Sequence, residues 1–246
     1  MPRAAVTIHT ADGECAATLH TPNGAGPWPA VILFPDAGGV RDTFLGMADR
    51  LAGLGYATLL PDVYYRYGGF EPFDMATVFS DEDQRNRLME MVGSLTNDMI
   101  VADAGAFLDF LAGRPEVTGG AVGTTGYCMG GRVSMLVAGS HPERVAAAAS
   151  FHGGRIAVED DPTSPHLLAD RIRATVYVAG AENDGSFTPE QSTLLDDALT
   201  AAGVDHTVEF YPAAHGFAVP DNPTYDVVAE QRHWEALERL YGAALA

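Results

Sequence analysis

The 246 residues carry 33 Asp and Glu against 14 Lys and Arg, a formal charge of −19. That balance excludes a nucleic-acid or anionic-membrane surface, since either requires a basic patch. Apolar residues make up 47% of the chain, and no run approaches the roughly 18 uninterrupted apolar residues that a membrane helix needs. The first nine residues hold no apolar secretion signal, so a globular cytoplasmic protein is the expectation. In so acidic a chain any bound anion needs a local cation, which makes the position of each basic residue informative.

Residues 4–9 and 15–21 flank the turn signal Thr10-Ala-Asp-Gly and predict an N-terminal hairpin, with Cys15 half-buried in its second strand. Buried strands are predicted over 30–34 and 56–60, with a helix over 42–54 between them. Residues 64–79 are irregular. Helices over 84–95 and 98–111 lead to a strand over 121–125, a helix over 132–139 and a strand over 147–151. A second irregular segment, 153–170, precedes a strand over 174–179, a helix over 189–202, a strand over 206–211 and a helix over 225–245. In that last helix Trp234, Leu237, Tyr241 and Ala244 share one face. About eight strands alternating with helices predict one α/β domain over 1–246, a mostly parallel sheet with helices on both faces. The two irregular segments are candidates for loops over a site.

Only two cysteines are present, Cys15 and Cys128, and they form no Cys-x-x-Cys pair. Cys128 sits in Gly126-Tyr-Cys-Met-Gly-Gly, between a predicted strand and a predicted helix. A strand that turns sharply into a helix strains the residue at its tip, and neighbours two positions away must be small. Gly126 and Gly130 meet that requirement, which makes this a nucleophile elbow with cysteine at the tip. The helix dipole favours a thiolate there. The N–H of the next residue, Met129, points to where an oxyanion would form.

An acid and a base follow. The predicted strand 174–179 runs into Gly180-Ala-Glu-Asn-Asp, which offers Asp184, with Glu182 as the alternative. The strand 206–211 runs into Pro212-Ala-Ala-His, which offers His215; His152, in Ser150-Phe-His-Gly-Gly, is a further histidine in a loop context. Nucleophile, acid, histidine is the chain order of α/β-hydrolases. All three lie just beyond the C-terminal ends of predicted strands, where open α/β sheets place their sites.

These residues, together with Ala57-Thr-Leu-Leu-Pro-Asp-Val-Tyr and Ala214-His-Gly-Phe, resemble the dienelactone hydrolase family over nearly the whole chain. The resemblance implies the α/β-hydrolase fold, Cys128 as nucleophile, His215 as base and Asp184 as the orienting acid. It implies an acidic residue close to the resting thiol, here Asp36, and a second oxyanion-hole N–H, from Ala37. It also implies a substrate carboxylate held by two arginines. Arg85 matches the first, with Arg87 as the alternative if the helix register differs. The place of the second is taken by Val219, and Gly216 follows the histidine instead of serine. One arm of that clamp is therefore missing. Tyr64, which opens the first irregular segment, and Tyr127, beside the cysteine, complete the candidates for supporting or substrate contacts.

The expected chemistry is hydrolysis of an activated ester or lactone, with a thioesterase-like activity as the alternative, through a cysteine acyl-enzyme with no cofactor and no metal. A small-molecule substrate is the expected partner, and the protein is expected as a monomer or homodimer. Two other readings predict different features. A thiol redox sensor predicts peroxide reactivity at Cys128, and Cys15 is the sole candidate for any resolving cysteine. A binding protein without turnover predicts a damaged triad.

Overall fold

The computed structural model describes residues 1–245. Strands β1 (Arg3–Thr10) and β2 (Gly13–His20) form the predicted hairpin. The others are β3 (Ala30–Phe34), β4 (Ala57–Pro61), β5 (Val122–Tyr127), β6 (Val145–Phe151), β7 (Thr175–Asn183) and β8 (His206–Ala214). They make one sheet in the order β1-β2-β4-β3-β5-β6-β7-β8. From β4 to β8 every neighbouring pair is parallel, while β2 joins β4 antiparallel. The central strands β3, β4 and β5 are buried along their whole length. Strands covered on both faces lose the polar alternation of a half-exposed sheet, which is why β3 and β4 read as near-continuous apolar runs; β5 buries Thr124 and Thr125 instead.

Two cores lie on the two faces. One joins α3 (Asn97–Ala112), α4 (Met129–Ser140) and α5 (Pro189–Ala201) to the sheet through residues such as Phe107, Val133 and Leu195. The other joins α1 (Asp42–Gly53) and α6 (Val227–Ala244) through Phe44, Leu51, Trp234, Leu237 and Tyr241. The predicted apolar face of the last helix is thus the face that it buries. A smaller third core gathers Tyr64, Phe73, Met75 and Val78 against Leu88 and Met91 of α2 (Glu82–Ser94) and against Ala37.

Three segments differ from expectation. Helix α4 starts at Met129, three residues before the predicted start, because Met-Gly-Gly has weak helix propensity and gives no local signal. Strands β7 and β8 run on to Asn183 and Ala214, delivering Asp184 and His215 directly from strand ends. Short 3-10 turns, Tyr65–Tyr67 and Pro165–Arg171, stand inside the two segments expected to be irregular. The strand order reverses between β3 and β5. The loops after those two strands therefore diverge over a crevice at the carboxyl rim, where open α/β sheets bind ligands.

Candidate active site

Cys128 stands between β5 and α4 at φ 53°, ψ −116°, a left-handed conformation that costs a non-glycine residue energy. The flanking glycines explain how the turn closes. A Cβ at Gly126 would lie 1.9 Å from the Gly130 carbonyl oxygen, and one at Gly130 would lie 2.3 Å from the carbonyl oxygen of Phe34. The Cys128 N–H donates to Phe151 O at 3.1 Å, while the N–H groups of Gly131 and Arg132 donate back to Cys128 O. Met129 N–H, in the first turn of α4, has no intrahelical acceptor and remains available.

His215 follows β8 directly. Its Nδ1 lies 2.7 Å from Asp184 Oδ2, which leaves Nε2 for the sulfur. Burial acts against a charged ring, but the hydrogen bonds to Asp184 and Cys128 and the charges of both outweigh it, raising the His215 pKa from 6.5 to about 10. Burial acts on Asp184 in the opposite sense to its partners, and the His215 hydrogen bond and charge win, holding its pKa below the ordinary carboxylate value. Ser186, which the sequence reading missed, completes the cradle: its N–H and Oγ donate to Asp184 Oδ1 at 2.8 and 2.6 Å. Asp-Gly-Ser is a turn spacing in which an aspartate bonds the backbone two residues on, so a local signal existed. Glu182 is exposed and makes no hydrogen bond or ion pair with the imidazole.

His152 lies beneath the imidazole, with ring centroids 5.0 Å apart and φ 39°. It is buried, and burial together with the His215 charge pushes its pKa well down, so it is a neutral ring. Tyr64 takes a different place from a substrate contact. Its Oη donates to Ala37 O at 3.0 Å and reaches Met129 Sδ at 3.4 Å. Burial, then the charges of Asp36 and Cys128, raise its pKa, so the phenol stays a donor.

Two of the expected side chains take other partners, and Arg85 takes none among the described residues. Asp36 does not hold its carboxylate for the thiol: Oδ1 accepts from Gly38 N–H at 2.9 Å and Arg41 Nη1 at 2.7 Å, and Oδ2 accepts from Arg41 Nη2 at 2.9 Å. Tyr127 points away from the site, because alternation along β5 turns it toward α6, where its Oη donates to His233 Nε2 at 2.8 Å. Arg85 is exposed on α2 and makes no side-chain hydrogen bond or ion pair among the described residues. Its neighbour Arg87 turns inward instead. There it donates to Glu71 O at 2.8 Å and stacks 4.2 Å from the Phe73 ring centroid, pinning the loop that carries Tyr64. Val219 is fully buried and offers no charge.

Arg132 stands one helical turn beyond Cys128. It borders a cleft of about 470 Å³ that opens beside Met129, with Asn97, Arg155 and Thr163 on its other walls. Arg132 donates to Asn97 Oδ1 at 2.8 Å and Thr163 O at 3.0 Å, both neutral, and no carboxylate pairs with it among the described residues. Arg155 across the cleft is already paired with Asp161 at 2.9 Å. Cys15 is buried in β2, where burial and then the Asp62 charge raise its pKa to about 12. Strands β4 and β3 separate it from β5, roughly 14 Å at the usual strand spacing. A disulfide to Cys128 cannot span that.

The dienelactone hydrolase family model matches residues 15–245. A candidate carboxymethylenebutenolidase of Synechocystis sp. is 29% identical over 98% of this chain and 96% of its own length. A carboxymethylenebutenolidase of a Pseudomonas species is 27% identical over 93% and 91%. Among solved structures, a dienelactone hydrolase-like promiscuous phosphotriesterase from metagenomic libraries superposes with a TM-score of 0.79 at 28% identity, covering 99% of both chains. A candidate dienelactone hydrolase from Klebsiella pneumoniae shares the fold, with a TM-score of 0.84 at 22% identity over 98% of each chain.

Proposed function

The chain belongs to the dienelactone hydrolase family, and from that premise we propose that it hydrolyses activated esters or lactones through a thioester on Cys128. The Cys128 sulfur attacks the carbonyl carbon, and the oxyanion rests on the N–H groups of Ala37 and Met129. His215 carries the proton that the thiol gives up and delivers it to the departing alkoxide, so the ester bond breaks as the thioester remains. A water molecule then attacks the thioester with His215 as base, releasing the acid and restoring the thiol. Asp184 keeps the imidazole oriented and favours its charged form.

The single observation that supports this reading is the His215 imidazole held through Nδ1 by Asp184 at 2.7 Å, with Cys128 among the groups that favour its charged form and held at positive φ. Arg132 supports a choice of substrate. The relatives' name denotes a lactone that carries a carboxylate, and Val219 stands where the resemblance implies the second of two arginines. The Arg132 guanidinium, bonded to the neutral Asn97 and Thr163 O and bordering the cleft beside Met129 that Asp98 and Asp161 also line, would receive that carboxylate. A cytoplasmic location belongs to the same reading, because a nucleophilic thiol works only while reduced.

A panel of 4-nitrophenyl esters and enol lactones, assayed with the wild type and Cys128→Ala, tests the proposal. Turnover that drops at least about a thousandfold in the variant is the expected result, with a wild-type acyl adduct on residue 128 seen by mass spectrometry. Equal rates for the two proteins would remove the thioester mechanism.

A further inference from the structure

A single arginine ties the loop that carries Ala37 to the loop that follows His215. Arg41 places its guanidinium between two carboxylates. Toward Asp36, Nη1 and Nη2 donate at 2.7 and 2.9 Å; toward Asp221, Nε and Nη2 donate at 2.7 and 2.8 Å. Nη1 also reaches Gly39 O at 3.2 Å. The Arg41 side chain is only 12% exposed and that of Asp36 4%. All of the donor nitrogens are therefore engaged in a fork-on-fork arrangement that a lysine, a point charge, cannot reproduce.

The two carboxylates belong to the two halves of the site. Asp36 immediately precedes Ala37, and its Oδ1 also fixes Gly38 N–H. Asp221 lies in the turn after His215, where Val219 N–H donates to Gly216 O, Asn222 N–H to Val219 O, and the Thr224 hydroxyl to His215 O. Residues 41 and 221 are 180 apart in sequence, so no local structure sets the distance between these loops. Among the described residues this guanidinium is the one side chain recorded as ion-paired to both.

We propose that Arg41 is a positioning residue that holds the oxyanion-binding peptide in register with the catalytic imidazole, acting through Asp36 on one side and Asp221 on the other. The inference rests on the acyl-transfer reading above. Under it, the oxyanion donor and the base must keep one geometry through the tetrahedral intermediate, and displacement of a donor by a fraction of an ångström weakens it. The Asp36 carboxylate thereby acts as an anchor for its loop.

Two conservative variants test this, Arg41→Lys and Asp221→Asn, each measured in two reactions. Hydrolysis of 4-nitrophenyl acetate requires the oxyanion donors; alkylation of Cys128 by iodoacetamide passes through no oxyanion. The expected result is a kcat lower by about 10- to 100-fold in each variant, with KM and the alkylation rate within about twofold. In the double variant the loss should be no greater than in Arg41→Lys alone, because both changes cut one tether. Hydrogen–deuterium exchange reads the tether without turnover. In Arg41→Lys the segments 36–40 and 216–222 should both exchange faster. Unchanged kcat in both variants, additive losses, or faster exchange confined to 36–40 would overturn the proposal. Loss of alkylation and hydrolysis in equal measure would overturn it too, since that is the mark of plain unfolding. A wild type without Cys128-dependent hydrolysis would instead defeat the acyl-transfer reading and leave the exchange measurement to decide the tether.

Discussion

The Tyr64 hydroxyl donates to the Ala37 carbonyl at 3.0 Å from a fully buried position, and the same oxygen touches Met129 Sδ. One phenol therefore braces both residues proposed to bind the oxyanion. Tyr64→Phe removes the brace and little volume. The expected outcome is a kcat lower by about tenfold with KM nearly constant, and a stability loss of about 1 kcal/mol for one buried hydrogen bond. Steady-state kinetics beside urea unfolding check it; an unchanged kcat would show that Ala37 needs no such support.

Protonation gives a second prediction. His215 has its pKa raised to about 10 by partners that outweigh burial. A raised folded-state value means that the contribution to stability is complete below the unfolded value near 6.5 and is lost as pH climbs through about 10. The melting temperature of the wild type should therefore fall relative to His215→Gln across that window. In Cys128→Ala the fall should be smaller and end at lower pH, because one of the groups favouring the charged ring is gone. Parallel curves for the three proteins would contradict the pairing.

The elbow glycines give a third. An alanine Cβ at residue 126 would sit inside the van der Waals radius of Gly130 O, which is backbone and cannot rotate away. Gly126→Ala should cost about 3 kcal/mol or more and abolish turnover in whatever protein remains folded. Circular dichroism melts and active-site alkylation test this together. A variant of normal stability would mean that the turn can open.

Arg132 and Arg85 can be told apart by substrate charge. Arg132→Gln should raise KM roughly 10- to 100-fold for an ester carrying a carboxylate, the range expected for a lost charged hydrogen-bond pair, and leave a neutral ester untouched. Arg85→Gln, at an exposed site with no partner, should change neither. If Arg85→Gln alone affects the acidic ester, the carboxylate binds over α2 and the cleft beside Met129 serves another purpose.

What the sequence by itself determined was whatever a short window encodes. Apolar runs marked the buried strands, spacing marked the face of α6, and glycines two places either side of Cys128 marked the elbow. Strand-then-loop order also put Asp184 and His215 at neighbouring ends of β7 and β8, whose pairing brings them together. The tertiary structure alone decided which way side chains face and whom they meet. Tyr127 looked like a site residue because it adjoins Cys128, yet strand alternation sends it to His233 of α6. Asp36 looked like a partner for sulfur until Arg41, folded back from five residues on, claimed both its oxygens. The reach from Arg41 to Asp221 has no local trace. Charged groups pair by proximity in three dimensions, and a chain reveals that proximity only once its sheet has set the register.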